Sequence, residues 1–370
     1  MAHKDLHDKP FDEGTIAKLE IFEDYARAWI PAFVMQGFST ICVFDLFAGT
    51  GYDKTGVAGS PIRIMEKIKE QIGYIFQKKV RVVVYLNEFE PDKKEQKKFA
   101  LLKDACLEFL ETNKDVKRAI EIKYFNENFE HLFPKLLSEI KKFPSLVYLD
   151  QNGIKFLSDK YLLEFEKMKQ TDFLYFVSSS YFKRLGNTEE FKRHVDLDIQ
   201  ELKIIPYQFI HENVIEQLRK KLPISSNLKL YPFSLKKGVN IFGIVFGAKH
   251  PLAVDKFLNI AWKRNPLNGN ANFDIDDDSK KGQLDIFGNK KLTKVERFKE
   301  NLRTKVLAGE IRSNLDALNF AHHEGHIGQH ASECLREMRK KGEISFEGIS
   351  PLITYEKIYK ERRIVNYKIN

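Results

Sequence analysis

Between Thr40 and Ser180, five short apolar runs (TICVFDLF, VRVVVYLNE, AIEIKYFNE, SLVYLDQNG and DFLYFVSSS) alternate with longer segments whose apolar residues recur at helical spacing. A strand that is apolar along its whole length must be covered on both faces, and helices returning between successive strands supply that cover. The alternation therefore predicts a doubly wound, mostly parallel α/β sheet with right-handed crossovers. A helix over residues 15–36, with Ile16, Leu19, Phe22 and Ala26 on one face, precedes the first strand.

Beyond the alternating region, PYQFIHENVIEQLRKKL reads as a helix, and NLKLYPFSLKKGVNIFGIVFGAKH as two strands joined by a turn at Lys236, Lys237 and Gly238. These bring the sheet to seven strands with an antiparallel last strand, the arrangement with which the Rossmann-like class I methyltransferase fold ends. Residues 265–290 are polar and rich in Gly, Asn and Asp, so they read as a linker between a first domain, 1–264, and a second, 291–370. From Lys291 to Asn370 there are 16 Lys and Arg against 11 Asp and Glu, so this tail holds +5 of the chain's net +9. A basic balance favours an anionic partner such as nucleic acid. The three cysteines, Cys42, Cys106 and Cys334, are too few and too scattered for a disulfide framework. No apolar stretch reaches the roughly 18 residues that a membrane-spanning helix needs, so the expectation is a cytoplasmic protein without membrane contact.

The segment VFDLFAGTGYDKTGVAGSPIRIM, residues 43–65, carries the strongest chemical signal. A P-loop needs glycine immediately before Lys-Ser/Thr, and Asp53 precedes Lys54-Thr55 here. The dinucleotide fingerprint needs a third glycine where Lys54 stands, and the helix begins only near Ser60, the expected N-cap. What remains is a strand ending in Asp45, a turn at Gly49 and Gly51 that lets a ligand approach the backbone, and an acid, Glu88, ending the next strand. A carboxylate there can accept hydrogen bonds from two vicinal ribose hydroxyls, so the set suits a nucleoside without a pyrophosphate.

TIAKLEIFEDYARAW, DLFAGTGYDKTGVAGSP, LNEFEPD, IFGIVFGAKHPLAVDKFLNIAWK and EGHIGQHASECLREMRKKGEI together resemble the three-Cys-motif partner proteins, which look like class I S-adenosylmethionine-dependent methyltransferases. The resemblance spans most of the chain. It implies S-adenosylmethionine as cofactor, a winged-helix-like tail, and a protein partner carrying three cysteines. Position by position, it implies that Asp45, Phe47, Gly49 and Gly51 contact the methionine and ribose, Glu88 the ribose hydroxyls and Asn126 the adenine edge, while Thr15 and Lys18 close over the cofactor. Asp150, Gln151 and Asn152 fall where methyltransferases place acceptor-side residues.

Those last residues depart from the expected Asp-Pro-Phe-Gly-like pattern, reading Asp150-Gln151-Asn152-Gly153. The loop has no ring to stack on a flipped base and no cysteine to add to a cytosine ring. Two readings stay open: an acceptor positioned by Asp150, Gln151 or Asn152, and a subunit that binds without methyl transfer. In the tail, two helices around Gly325 followed by a short strand have winged-helix grammar, with Arg336, Arg339, Lys340 and Lys341 available for phosphates or for protein contacts. The aspartates of FDIDDDSKKGQLD lack the glycine of a calcium loop. His326, His330 and Cys334 at successive fours span too much helix for one zinc ion, so no metal is expected.

Overall fold

A computed structural model describes residues 10–91, 96–151, 159–178, 197–281 and 292–370. By packing, the chain divides into two compact units, Met1–Lys249 and His250–Asn370.

The first unit runs α1 (Glu13–Met35), β1 (Thr40–Asp45), α2 (Ser60–Lys69), α3 (Ile72–Lys78), β2 (Arg81–Asn87), α4 (Lys97–Thr112), α5 (Lys114–Ala119), β3 (Ile120–Phe125), α6 (Phe129–Lys142), β4 (Ser145–Leu149), α7 (Asp159–Glu166), β5 (Thr171–Ser178), α8 (Ile199–Ile204), α9 (Ile210–Lys220), β6 (Lys229–Lys237) and β7 (Asn240–Ala248). The seven strands lie in the order β3-β2-β1-β4-β5-β7-β6. All neighbours are parallel except β7, which runs antiparallel to both β5 and β6. This strand order, with one antiparallel strand beside the edge, is like that of a class I methyltransferase sheet. The apolar runs explain it: every residue of β1 and of β4 is buried, as central strands covered on both faces must be.

One face carries Phe44, Tyr85, Val147, Leu149 and Phe173 against Leu132, Phe133 and Leu136 of α6 and Val214 and Leu218 of α9. On α1, Phe22 stacks on Tyr148 of β4 with ring centroids 3.9 Å apart and planes 12° from parallel. Such a pair contributes about 1 kcal/mol beyond its area. Tyr25 donates to the buried Asp172 of β5 at 2.7 Å. The order reverses at β1, where successive crossovers lead outward to β2 and β3 on one side and to β4 and β5 on the other. Open α/β sheets bind ligands at the carboxyl ends of the strands flanking such a reversal.

The chain differs from the sequence reading in local detail. The helix expected to begin near Ser60 ends at Lys69, and a second short helix, α3, follows it from Ile72. Gly59, not Ser60, is the N-cap of α2, because Ser60 already has helical geometry with Pro61 following it in the first turn. The turn between β6 and β7 is Gly238-Val239, one residue later than expected, with Gly238 in the left-handed region at φ +55°.

The second unit contains α10 (Pro251–Arg264), α11 (Lys294–Leu307), α12 (Asn314–His323), α13 (Gly328–Lys340), β8 (Ile344–Phe346) and β9 (Tyr367–Ile369). Helix α10, which the sequence reading grouped with the sheet, falls in this unit. Thr293 and Glu296 form a reciprocal capping box at the start of α11. Phe298, Leu302, Leu318, Leu335, Met338 and Ile344 form the core. Strands β8 and β9 pair antiparallel, and a bridge from Ser313 to Asn366 adds a third short extended segment. Three helices, a helix-turn-helix from α12 to α13, and a strand pair with a long intervening connection make a winged helix.

Candidate functional site

The glycine loop leaves β1 at Asp45 and is fixed by its neighbours on both sides. Ala48 N–H donates to Asn87 O at 2.9 Å, and Asn87 Nδ2 donates to Leu46 O at 3.1 Å. Gly49 and Gly51 have φ of +66° and +89°. A Cβ on Gly51 would lie 2.6 Å from Ala105 Cβ, so the loop packs its backbone directly on α4.

The stretch between Gly51 and Gly59 closes on itself as a small hairpin. Tyr52 and Ala58 form an antiparallel bridge, and Gly59 N–H donates to Gly51 O at 2.7 Å. Asp53 pins it: Oδ1 accepts from Thr55 N–H at 2.8 Å, Thr55 Oγ1 at 2.9 Å and Val57 N–H at 2.8 Å, while Oδ2 accepts from Phe11 N–H at 2.7 Å. Burial pushes this carboxyl up, but the donors from Phe11, Val57 and Thr55 outweigh it and hold it below its ordinary value. Sequence reasoning missed Asp53 as the organiser of the loop. Its signal was the Asp-x-x-Gly turn pattern of Asp53 to Gly56.

The polar groups expected to hold a nucleoside gather at one edge of the sheet. Glu88, directly after β2, accepts Gly49 N–H through Oε2 at 2.9 Å. Asn126, directly after β3, accepts Glu90 N–H through Oδ1 at 2.9 Å, while its Nδ2 is buried and makes no hydrogen bond. Asp45 is fully buried, and its Oδ2 is likewise without a hydrogen bond. Burial raises its pKa to about 7, the charges of Asp150 and Glu88 adding to the rise. Phe47 donates its N–H to Asp45 Oδ1 at 3.4 Å, and its ring stacks on Phe129 of α6.

At the end of β4, Gln151 is 1% exposed; its Nε2 donates to Tyr175 Oη at 3.1 Å and its Oε1 is buried without a partner. Asp150 forms an ion pair with Lys18, whose Nζ also lies 4.4 Å from the ring centre of Phe176. Two residues assigned by sequence to different tasks, Lys18 to the cofactor and Asp150 to the acceptor, thus meet. Asn152 lies outside the described residues. The unpartnered buried side-chain atoms described in this unit are Trp29 Nε1, Asp45 Oδ2, Asn126 Nδ2, Tyr148 Oη and Gln151 Oε1. All but Trp29 lie within two residues of the carboxyl ends of β1, β3 and β4. Tyr148 and Tyr175 carry no sequence motif and were not foreseen.

In the second unit, Arg336, Arg339, Lys340 and Lys341 are exposed on the last turns of α13 and just beyond it. Arg339 is committed to the wing, donating to Gly348 O at 2.6 Å with its guanidinium 4.6 Å from the centre of the Phe346 ring. The acids of the same helix, Glu333 and Glu337, are paired with Lys299 of α11, which leaves the basic side chains less opposed. His326 and His330 sit between Phe298 and Trp262 with their Nδ1 atoms 3.0 Å apart. Burial lowers them to about 2 and about 4. Of the acidic residues at 274–285, Asp274 accepts Asp278 N–H and Ser279 N–H, and Asp278 accepts Lys294 N–H, as caps of helical turns. Among the described residues, no three His, Cys, Asp or Glu side chains are grouped to hold a metal ion, and no helix is long and apolar enough to cross a membrane.

Residues 273–348 match the family described as the GMT-like wHTH domain. No curated protein matches the chain. Among solved structures, the O-methyltransferase TomG from Streptomyces achromogenes, involved in tomaymycin synthesis and solved in complex with SAM, is similar at 8% identity and a TM-score of 0.33, over 64% of this chain and 89% of that one.

Proposed function

We propose that the first unit binds S-adenosylmethionine and that the protein methylates nucleic acid, or a partner bound to it, held by the winged-helix unit. The observation that carries this reading is the gathering of Asp45 Oδ2, Asn126 Nδ2, Tyr148 Oη and Gln151 Oε1, all buried and unpartnered, at the strand reversal beside a glycine loop. Buried polar atoms are costly unless paired, so such a set marks where a polar ligand completes the structure.

The donor types fit this cofactor. Asn126 Nδ2 is a donor for an adenine ring nitrogen, Glu88 can release Gly49 N–H to accept ribose hydroxyls, and Asp45 accepts from the methionine end. The cofactor supplies a methyl group already activated on a sulfonium, so its transfer calls chiefly for alignment of a nucleophile. Asp150, Gln151 and Asn152 would hold that nucleophile, and Gln151 Oε1 has an open acceptor site for its N–H or O–H. Arg336, Lys340 and Lys341 supply phosphate contacts, which position a nucleic acid without reading its sequence.

One observation favours a second reading. Asp150 is neutralised by Lys18, which suits a binding subunit that recruits a three-Cys-motif partner to nucleic acid and transfers no methyl group. Calorimetry with S-adenosylmethionine tests the shared premise: Glu88→Ala is expected to weaken binding about tenfold or more, as loss of a hydrogen-bonded carboxylate does. Unaltered binding would remove the nucleoside assignment. Incubation of the full chain with methyl-labelled cofactor and DNA, RNA or copurified protein separates the two readings, because label on any acceptor excludes the non-catalytic one.

A further inference from the structure

We propose that the open edge of the sheet, strand β3, is the docking surface for a second copy of this chain, and that the two β3 strands pair antiparallel about a two-fold axis at Ile122. The inference is independent of what the crevice at the strand reversal binds.

Strand β3 closes one side of the sheet, with β2 its one strand neighbour among the described residues. Unlike the fully buried β1 and β4, it is half-buried along its whole length. The N–H and C=O groups of successive strand residues turn to opposite sides. Phe125 O accepts Glu88 N–H at 3.1 Å, so the odd-numbered residues of β3 turn these groups to β2, and Ile120, Ile122 and Tyr124 turn theirs outward. Ile120 N–H is taken by Val116 O of α5, which leaves Ile120 O and the backbone groups of Ile122 and Tyr124 as a template for another strand. The opposite edge, β6, is blunted: Pro232 interrupts its row of donors and Arg219 donates to Leu230 O.

Charge selects the occupant. An antiparallel copy centred on Ile122 accepts Ile122 N–H at its own Ile122 O and Tyr124 N–H at its Ile120 O, each bond being made twice by the symmetry. This register sets Glu121 opposite the copy's Lys123 at a non-hydrogen-bonded position, where facing side chains come closest. The two side chains are 40% and 39% exposed, so both charges are within reach of a partner while Arg81 holds Glu121 and Tyr85 Oη lies 3.4 Å from Lys123 Nζ. On the other face Ile122 meets its own copy and Ile120 meets Tyr124, a β-branched–aromatic pair of the kind that stabilises sheets. Sliding the register by two residues sets Glu121 opposite Glu121, or Lys123 opposite Lys123, and shortens the ladder. The longest pairing is therefore also the charge-matched one. A lone lysine would blunt this edge, whereas a Glu and a Lys two residues apart match an inverted copy of themselves.

Sedimentation of the full chain over a wide range of concentration is the test, and wild type is expected to show a monomer–dimer equilibrium. Glu121→Lys and Lys123→Glu each set like charges opposite one another twice per dimer, so each is expected to weaken the dimer about tenfold or more. The double variant, with both exchanges, restores the match and is expected to dimerise as wild type does. A mixture of the two single variants is expected to do the same, since one strand then carries only lysines at these positions and the other only glutamates. Amide hydrogen exchange at Ile122 and Tyr124 of wild type is expected to slow as concentration rises. A chain that stays monomeric throughout would overturn the proposal and leave the edge to a strand of a different protein. A dimer indifferent to both single variants, or a double variant and a mixture that associate no better than the singles, would place the interface elsewhere and overturn it too. Should a single variant fold poorly, the double variant and the wild-type amides still decide.

Discussion

Gly51 and Gly56 provide a controlled pair for what the loop backbone demands. Both have positive φ, +89° and +81°, but a Cβ at Gly51 would overlap Ala105 whereas one at Gly56 meets nothing within 4 Å. Gly56→Ala should cost about 1 kcal/mol from the left-handed conformation alone. Gly51→Ala should cost about 1–3 kcal/mol more from the overlap, read as the difference in urea midpoints at constant slope. The Lys18–Asp150 pair gives a second residue-scale expectation. Its side chains are 10% and 18% exposed, so Lys18→Met leaves a poorly solvated carboxylate and should destabilise by up to about 3 kcal/mol, part of which Lys18→Met with Asp150→Asn restores. A double-mutant cycle by denaturation measures that coupling, and additive costs would show the pair to be inert. The placement of Asp45 and Glu88 at strand ends and of Gly49 and Gly51 in a positive-φ turn was legible in the sequence because strand ends and φ-permissive glycines leave local marks. The Lys18–Asp150 pair was not, since it joins residues 132 positions apart and only the packing of α1 brings them together.

Helix α13 concentrates the element-scale expectations. Arg336, Lys340 and Lys341 are exposed, whereas Arg339 serves the wing. Replacing Lys340 and Lys341 by Gln should weaken binding to duplex DNA or structured RNA similarly across sequences and reduce the slope of log affinity against log salt by about 0.9 per lost phosphate contact on B-DNA. Arg339→Ala should also loosen the wing, so its effect should include a stability loss that the lysine variants lack. An unchanged salt slope in the lysine variants would move the interface off this helix end. The order of strands and helices was readable because each apolar run had a period of its own. The break between α2 and α3 and the shift of the α2 cap to Gly59 were not readable, because Gln71 and Ser60 are compatible with either geometry.

Each compact unit carries one of the two tryptophans, Trp29 in the first and Trp262 in the second. With Trp29→Phe, emission from Trp262 reports on the second unit alone. Its neighbours His326 and His330 are held neutral by burial, with pKa values of about 2 and about 4 against an ordinary 6.5. Their contribution is complete above pH 6.5 and declines as pH falls from 6.5 toward 4, because the unfolded chain takes up protons that the folded one refuses. A loss of about 4 kcal/mol between pH 7 and pH 5, about 2 from each histidine, is expected in urea titrations, and His326→Phe should about halve it. A pH-independent midpoint would refute the assignment.

The start of α1 is fastened to parts of the chain made much later. Phe11 N–H reaches Asp53, Lys18 reaches Asp150, and Asp12 reaches Lys237, a partner 225 residues further along. During synthesis at roughly 5–20 residues per second, about 10–45 s separate the emergence of Asp12 from that of Lys237. The glycine loop, its first strand and the Phe11–Asp53 contact are therefore made long before the last of these clasps can form. A nascent chain halted before the β6–β7 hairpin would display this edge of the sheet without its last fastening, giving chaperones or a cofactor an interval in which to reach it.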